Sequence, residues 1–322
     1  MPKATLRVRP APWLVAGIVT WVAFVARFTF SPPMSLIDVI LVFGPLVVVP
    51  LARPLVAEIW FPPEAVQYAA ALSFAFAFVN RAVGRGGTAL AVPWLLFAAT
   101  ILVRHTLHLI AAGSRALLDI ARLAACGFLV VGAFFAVATR AGWIVVGISE
   151  PIVELTSVHF HFAGFATLVL ATCVARALPH RARVTNPMLI LAGAAPPAVA
   201  AGFTWELAPL QIGGAIMITL ATWSLAAIAV AFVVRDATGI SRTFLVISSA
   251  SVVAPMVLAV FWATAQYYDV PALSIPAMAR VHGTLNAFGF VTCGLIGWRL
   301  HSARDTARVA ALTDGGLVRR GT

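Results

Sequence analysis

Residues 209–234 read PLQIGGAIMITLATWSLAAIAVAFVV. No charged side chain interrupts these 26 residues, and Glu206 and Arg235 stand just outside them. An α-helix needs about 20 apolar residues to cross the hydrocarbon of a bilayer. A stretch of this length and composition therefore reads as a membrane-spanning helix. Nine more of the same kind occur, at 11–28, 35–52, 64–80, 89–110, 118–139, 151–178, 186–205, 242–267 and 274–301. The expected fold class is all-α, a polytopic transmembrane helical bundle of about ten helices, with a count of nine left open. Arg104, His105, His108, Arg115 and Arg122 crowd the junction of the fourth and fifth stretches. That crowding makes these two the weakest assignments and leaves one of them open to a partly interfacial position.

Composition points the same way. Of 322 residues, 61% are hydrophobic and 10% charged, against about 25% charged in a soluble domain. A water-soluble fold of this size could not bury so much apolar surface. The expected organisation is a single transmembrane domain over residues 1–301 and a polar, disordered cytoplasmic tail over 302–322. The net charge of +11 does not indicate nucleic acid, because the basic residues are scattered between apolar stretches. With ten spans both termini share one side. Seventeen of the 22 Lys and Arg residues fall there, and five (Arg27, Arg81, Arg85, Arg140 and Arg280) fall on the other. The positive-inside rule then places both termini in the cytoplasm of a bacterial inner membrane. Lys3, Arg7 and Arg9 precede the first span as in a signal peptide, but no small-residue cleavage site follows, so the first helix is expected to stay uncleaved. Cys126, Cys173 and Cys293 all lie in apolar stretches, form no CxxC pair and read as core packing.

Ionisable residues inside a bilayer are costly, which makes each one a candidate functional group. Asp38, Glu150, Glu154, Glu206 and Asp269 fall at outer helix ends, and His159, His161 and His282 lie deeper. Glu154 and His161 are seven residues apart, nearly eclipsed on a helix that turns by about 100° per residue. Ser157 lies between them and Glu150 about 40° to one side, so the four form a polar stripe. A carboxylate beside an imidazole can share a proton with it. His159 points about 200° away from His161. That geometry argues against a metal site, because two ligands on one helix face want i,i+4 spacing. Taken alone, His159 reads as structural. On the last span His282 and Asn286 are i,i+4 neighbours, Arg280 precedes them, and Gly289 on the same face permits close helix approach. Interhelical hydrogen bonding is the competing account of His282 and Asn286.

Val158-His159-Phe160-His161-Phe162-Ala163-Gly164-Phe165 and Val281-His282-Gly283-Thr284-Leu285-Asn286-Ala287-Phe288-Gly289-Phe290 resemble signatures of the YndJ-like family of bacterial membrane proteins. The resemblance covers mainly residues 145–300. It implies a multi-span protein whose shared polar residues are these histidines and the asparagine, and it carries little chemistry.

No flavin, nicotinamide or haem motif is present, so no cofactor is expected. Facing histidines and carboxylates can move protons on a hydrophobic small molecule. The expected chemistry is isomerisation, dehydration or closure of a cyclic ether or ketal, on a polyketide-like substrate. Glu154 and His161 are the expected coupled acid–base pair and His282 the second acid–base group. Expected substrate contacts are Glu150, His159, Asn286 and Arg280, with Asp38, Glu206 and Asp269 at a vestibule. The alternative is a proton-coupled exporter using the same groups as a relay. The only other expected partner is the lipid bilayer.

Overall fold

The computed structural model of the chain describes residues 12–30, 35–79 and 83–304. Lys3, Arg7, Arg9, Arg81 and the tail beyond residue 304 lie outside the described residues. Ten helices follow one another: α1 (Pro12–Phe30), α2 (Leu36–Val56), α3 (Glu64–Val79), α4 (Arg85–Ala112), α5 (Leu117–Ala141), α6 (Ile152–Ala177), α7 (Pro179–Thr204), α8 (Ala208–Val233), α9 (Gly239–Ala265) and α10, residues 275–304. Seven of them (α2 and α4 to α9) are long and apolar enough to cross a membrane, and α1 and α3 are shorter apolar helices. No strand occurs among the described residues.

Backbone polar groups cannot be left open in hydrocarbon, so the chain satisfies them within helices and keeps its connections short. Short connections run successive helices antiparallel. The even count then brings residue 304 back to the end of the bundle where α1 begins, here the terminus end; the opposite end is the far end. Helices α2 and α6 are central, with 83% and 78% of their most apolar windows buried. Neighbours in sequence pack together, and α10 closes back onto α2 and α6.

The crowded junction of α4 and α5 resolves into two full-length helices of 28 and 25 residues. Both are long and apolar enough to cross a membrane, and two of the crowding arginines have partners. Arg122 pairs with Asp119 at 2.9 Å and with Glu58 at 3.0 Å, and Arg176 reaches the same Glu58 oxygen at 3.3 Å. The Arg104 guanidinium stacks 4.9 Å from the Trp60 ring centroid. These contacts tie the α2–α3 connection, α5 and α6 together at the terminus end.

Helix α2 carries a π turn at Gly44–Val48 and α8 one at Ala229–Val233, and α6, α9 and α10 also depart from α geometry. Wide π turns occur at Phe160–Ala166 in α6 and at Ala279–Gly283 and Leu285–Thr292 in α10, and α9 breaks at Val252. Hydroxyls from nearby residues take up carbonyls in these turns. Thr167 donates to Phe162 O, Thr292 to Ala287 O, and Ser248 of α9 to Phe290 O of α10. Gly289 permits the close α9–α10 contact expected of it, since a Cβ there would stand 2.5 Å from Ser251 Oγ. Both histidine-bearing stretches quoted above thus coincide with π segments, which gather at functional sites.

Candidate functional site

A cavity of about 260 Å³ lies between α6, α7, α8, α9 and α10, close to the lower bound of small-molecule sites, about 300 Å³. Its lining runs from the far end, where Ile152, Thr204, Ala263 and Ile275 stand near helix ends, to Thr222, about halfway along α8. The wall is almost entirely apolar, and none of the described residues lining it is Asp, Glu, Lys or Arg. His159 of α6 and His282 and Asn286 of α10 are the strongest polar groups on it.

The two imidazoles face each other with ring centroids 6.3 Å apart. Each is held through the same atom. His159 Nδ1 lies 2.7 Å from Leu155 O, and His282 Nδ1 lies 2.8 Å from Pro255 O. A carbonyl oxygen can only accept, so both Nδ1 atoms carry the proton. The lone pair of each ring is therefore on Nε2. The Asn286 amide nitrogen lies 3.4 Å from both nitrogens of His282. Equal distances to the two ring nitrogens put it out of line with the Nε2 lone pair, so this is a marginal hydrogen bond.

His161 occupies a different place. It is buried on the side of α6 that meets α2, α4 and α5, and it does not line the cavity. Its Nδ1 donates to Ser157 O at 2.8 Å, and its Nε2 accepts from Trp94 Nε1 of α4 at 3.0 Å. Both ring nitrogens are thus satisfied. Gly132 of α5 makes room for the ring: a Cβ there would stand 2.6 Å from His161 Nδ1. The expected pocket shared by His161 and His282 is not formed. The helix turn separates His159 from His161 as expected, but His159 is the one that meets His282.

The acidic residues divide likewise. Asp38 is buried and closes the capping box of α2: its side chain accepts from Ser35 N at 2.7 Å, and its own N–H donates to Ser35 Oγ at 3.1 Å. The Glu154 carboxyl lies against Asp38, with Arg140 and Glu150 the next charges. Its Oε1 is buried and meets no donor. Glu150 accepts from Glu154 N at 3.3 Å on the surface. Glu154 and His161 share one side of α6, as the stripe predicted, but that side faces away from the cavity. Arg280, Glu206 and Asp269 are exposed and do not line the cavity. Of the ten expected site residues, the cavity brings together His159, His282 and Asn286.

A family profile described as "YndJ-like protein" matches residues 39–290. The chain belongs to the YndJ-like family. The match covers the two histidine-bearing stretches and nearly all of the residues that line the cavity. A relative from Bacillus subtilis (strain 168), described as "Uncharacterized membrane protein YndJ", is 25% identical over 178 residues, which is 55% of this chain and 32% of the relative. The chain therefore spans about a third of the length of that curated relative. No solved structure matches. The chain is a membrane protein of this family, with seven of its described helices long and apolar enough to cross a membrane.

Several contributors gave no sequence signal. Trp94 and Gly132 box His161 from helices whose apolar pattern offers no hint of it. Pro255 O holds His282 from a span whose apolar run gives no hint of the contact. Met256, Trp262 and Phe203 line the cavity but read as ordinary span residues.

Proposed function

We propose that the protein is a membrane-embedded acid–base enzyme acting on a hydrophobic small molecule, with His159 and His282 as the acid–base pair and Asn286 orienting the substrate. One observation carries this reading: two imidazoles, each anchored through Nδ1–H on a carbonyl, face each other across an uncharged apolar cavity. Nε2 of one ring takes a proton from a substrate O–H or C–H. The anchoring carbonyl then stabilises the imidazolium, as a hydrogen-bonded partner does in a catalytic triad. The proton returns at another substrate atom, and the second imidazole stabilises or relays it there. No proton is consumed overall, which suits isomerisation, or cyclisation with or without loss of water. The roles first expected of Glu154 and His161 pass to His159, because the cavity wall holds no carboxylate.

On the same reading both termini are cytoplasmic, since 17 of 22 basic residues fall on their side, and the far end faces outward. The segments at that end carry exposed Trp143, Ile144 and Trp205, which suits delivery of a lipophile from the interface. A proton-coupled exporter is the second reading, favoured by Glu154 Oε1, buried without a donor beside Asp38 and Arg140.

The test uses a lipophilic extract of cells lacking this chain, incubated with the purified full-length protein in detergent. We expect one component to be replaced by a product of equal mass, or lighter by one water. An unchanged extract, together with movement of that component across sealed proteoliposomes, overturns the enzyme reading in favour of the exporter.

A further inference from the structure

The hydrogen-bonding pattern of the cavity wall defines the chemistry of what fits it, an inference that rests on the cavity being the binding site. Both Nδ1–H groups are spent on carbonyls of the protein, at 2.7 Å and 2.8 Å. The two imidazoles therefore offer the cavity acceptors only. Three of the four lining threonines spend their hydroxyl protons on the protein: Thr156 donates to Ile152 O at 2.7 Å, Thr167 to Phe162 O at 3.0 Å and Thr222 to Ile218 O at 2.9 Å. The Asn286 amide, marginally bonded at 3.4 Å, is the donor beside the two imidazoles, while the Thr204 hydroxyl and the Trp262 indole N–H stand nearer the far helix ends. No charged side chain stands among the described lining residues, so a charged ligand would be buried without a counter-charge, at high cost. An apolar ligand without hydroxyls would leave two imidazole lone pairs unpaired, also at a cost.

We propose that the cavity binds an uncharged lipophile carrying two hydroxyl donors and, between them, a carbonyl or ether oxygen: the hydroxyls donate to Nε2 of His159 and of His282, and the oxygen accepts from the Asn286 amide. The separation of the two rings, 6.3 Å between centroids, sets the two hydroxyls on different carbons of one skeleton. A polyhydroxylated ketone or ether fits this description, and a fatty acid or an amphiphilic amine does not.

Three photoprobes built on benzophenone test the assignment, since their ketone is both the acceptor and the photophore. One carries hydroxymethyl groups at both para positions, one methyl groups there, and one carboxylates. Met256 and Met278 line the cavity and report capture by mass spectrometry of the irradiated full-length protein in detergent. The bis(hydroxymethyl) probe should label the Met256 or Met278 peptides about tenfold or more above the other two, as expected for two added hydrogen bonds. His159→Phe and His282→Phe should each remove most of that excess while the protein stays monodisperse. Equal labelling by the dimethyl probe, preference for the dicarboxylate, or an excess untouched in both variants overturns the ligand class. If either variant fails to fold, the comparison of probes on the wild-type protein still decides. Probe preference without any conversion of the extract would leave the ligand class standing and remove the catalytic reading. Conversion without probe preference would do the opposite.

Discussion

His282→Gln is expected to lower turnover by roughly 10²–10⁴-fold, the usual contribution of a positioned acid or base, and His159→Gln to do the same. The glutamine amide can still bond Pro255 O or Leu155 O, the carbonyls that hold Nδ1 at 2.8 Å and 2.7 Å in the wild type. It cannot take up and return a proton near neutral pH. The loss should therefore appear in kcat, with the folded yield and the thermal midpoint close to wild type. His282→Ala leaves a hole on the wall of a cavity that already has about 260 Å³ of space. Added imidazole should enter it and restore part of the lost rate, a rescue that a purely structural histidine would not show. The double variant should be little slower than the worse single one, because groups acting as a unit are not additive. Wild-type rates in both glutamine variants would remove the pair from the chemistry.

The opposite outcome is expected at His161. His161→Ala should cost about 2–5 kcal/mol of stability, the range for emptying a large buried position. It removes a 1% exposed ring and leaves Trp94 Nε1 without its acceptor. Trp94→Phe, which only strips the donor from His161 Nε2, should cost about 1–2 kcal/mol. The readout is thermal unfolding followed by size-exclusion chromatography in detergent. The fraction that remains folded should convert substrate at the wild-type rate per molecule. Unchanged stability in both variants, or a lost rate at full stability, would mean that His161 takes part in the reaction and that its satisfied geometry is not its working state.

These two histidines show what the sequence could and could not tell. The spans were legible because lipid demands long uninterrupted apolar helices; residues 209–234 predict α8, observed as Ala208–Val233. Helical geometry also separated His159 from His161. Which of them met His282 depended on neighbours distant in sequence, Trp94 from α4 and Gly132 from α5, whose identities are unremarkable in apolar runs. The Glu154–Ser157–His161 stripe drew attention because charge in a bilayer is costly. Glu154 lies away from the cavity, beside Asp38, Arg140 and Glu150. The cavity itself was invisible, since Met256, Trp262 and Phe203 look like any other span residues. The π turns that place both histidine-bearing stretches pack against α2, α5 and α9, contacts that local propensity does not encode.

The most direct measurement is cysteine accessibility at positions 159, 161 and 282, each substituted singly in a Cys126→Ala, Cys173→Ala, Cys293→Ala background and assayed in native membranes. A small neutral maleimide should alkylate the cysteines at 159 and 282 at similar rates, and a bulky lipophile that fills the cavity should slow both together. The cysteine at 161 should stay unreacted until the protein is unfolded. Fast alkylation at 161, or none at 159 and 282, would contradict a site built on His159 and His282.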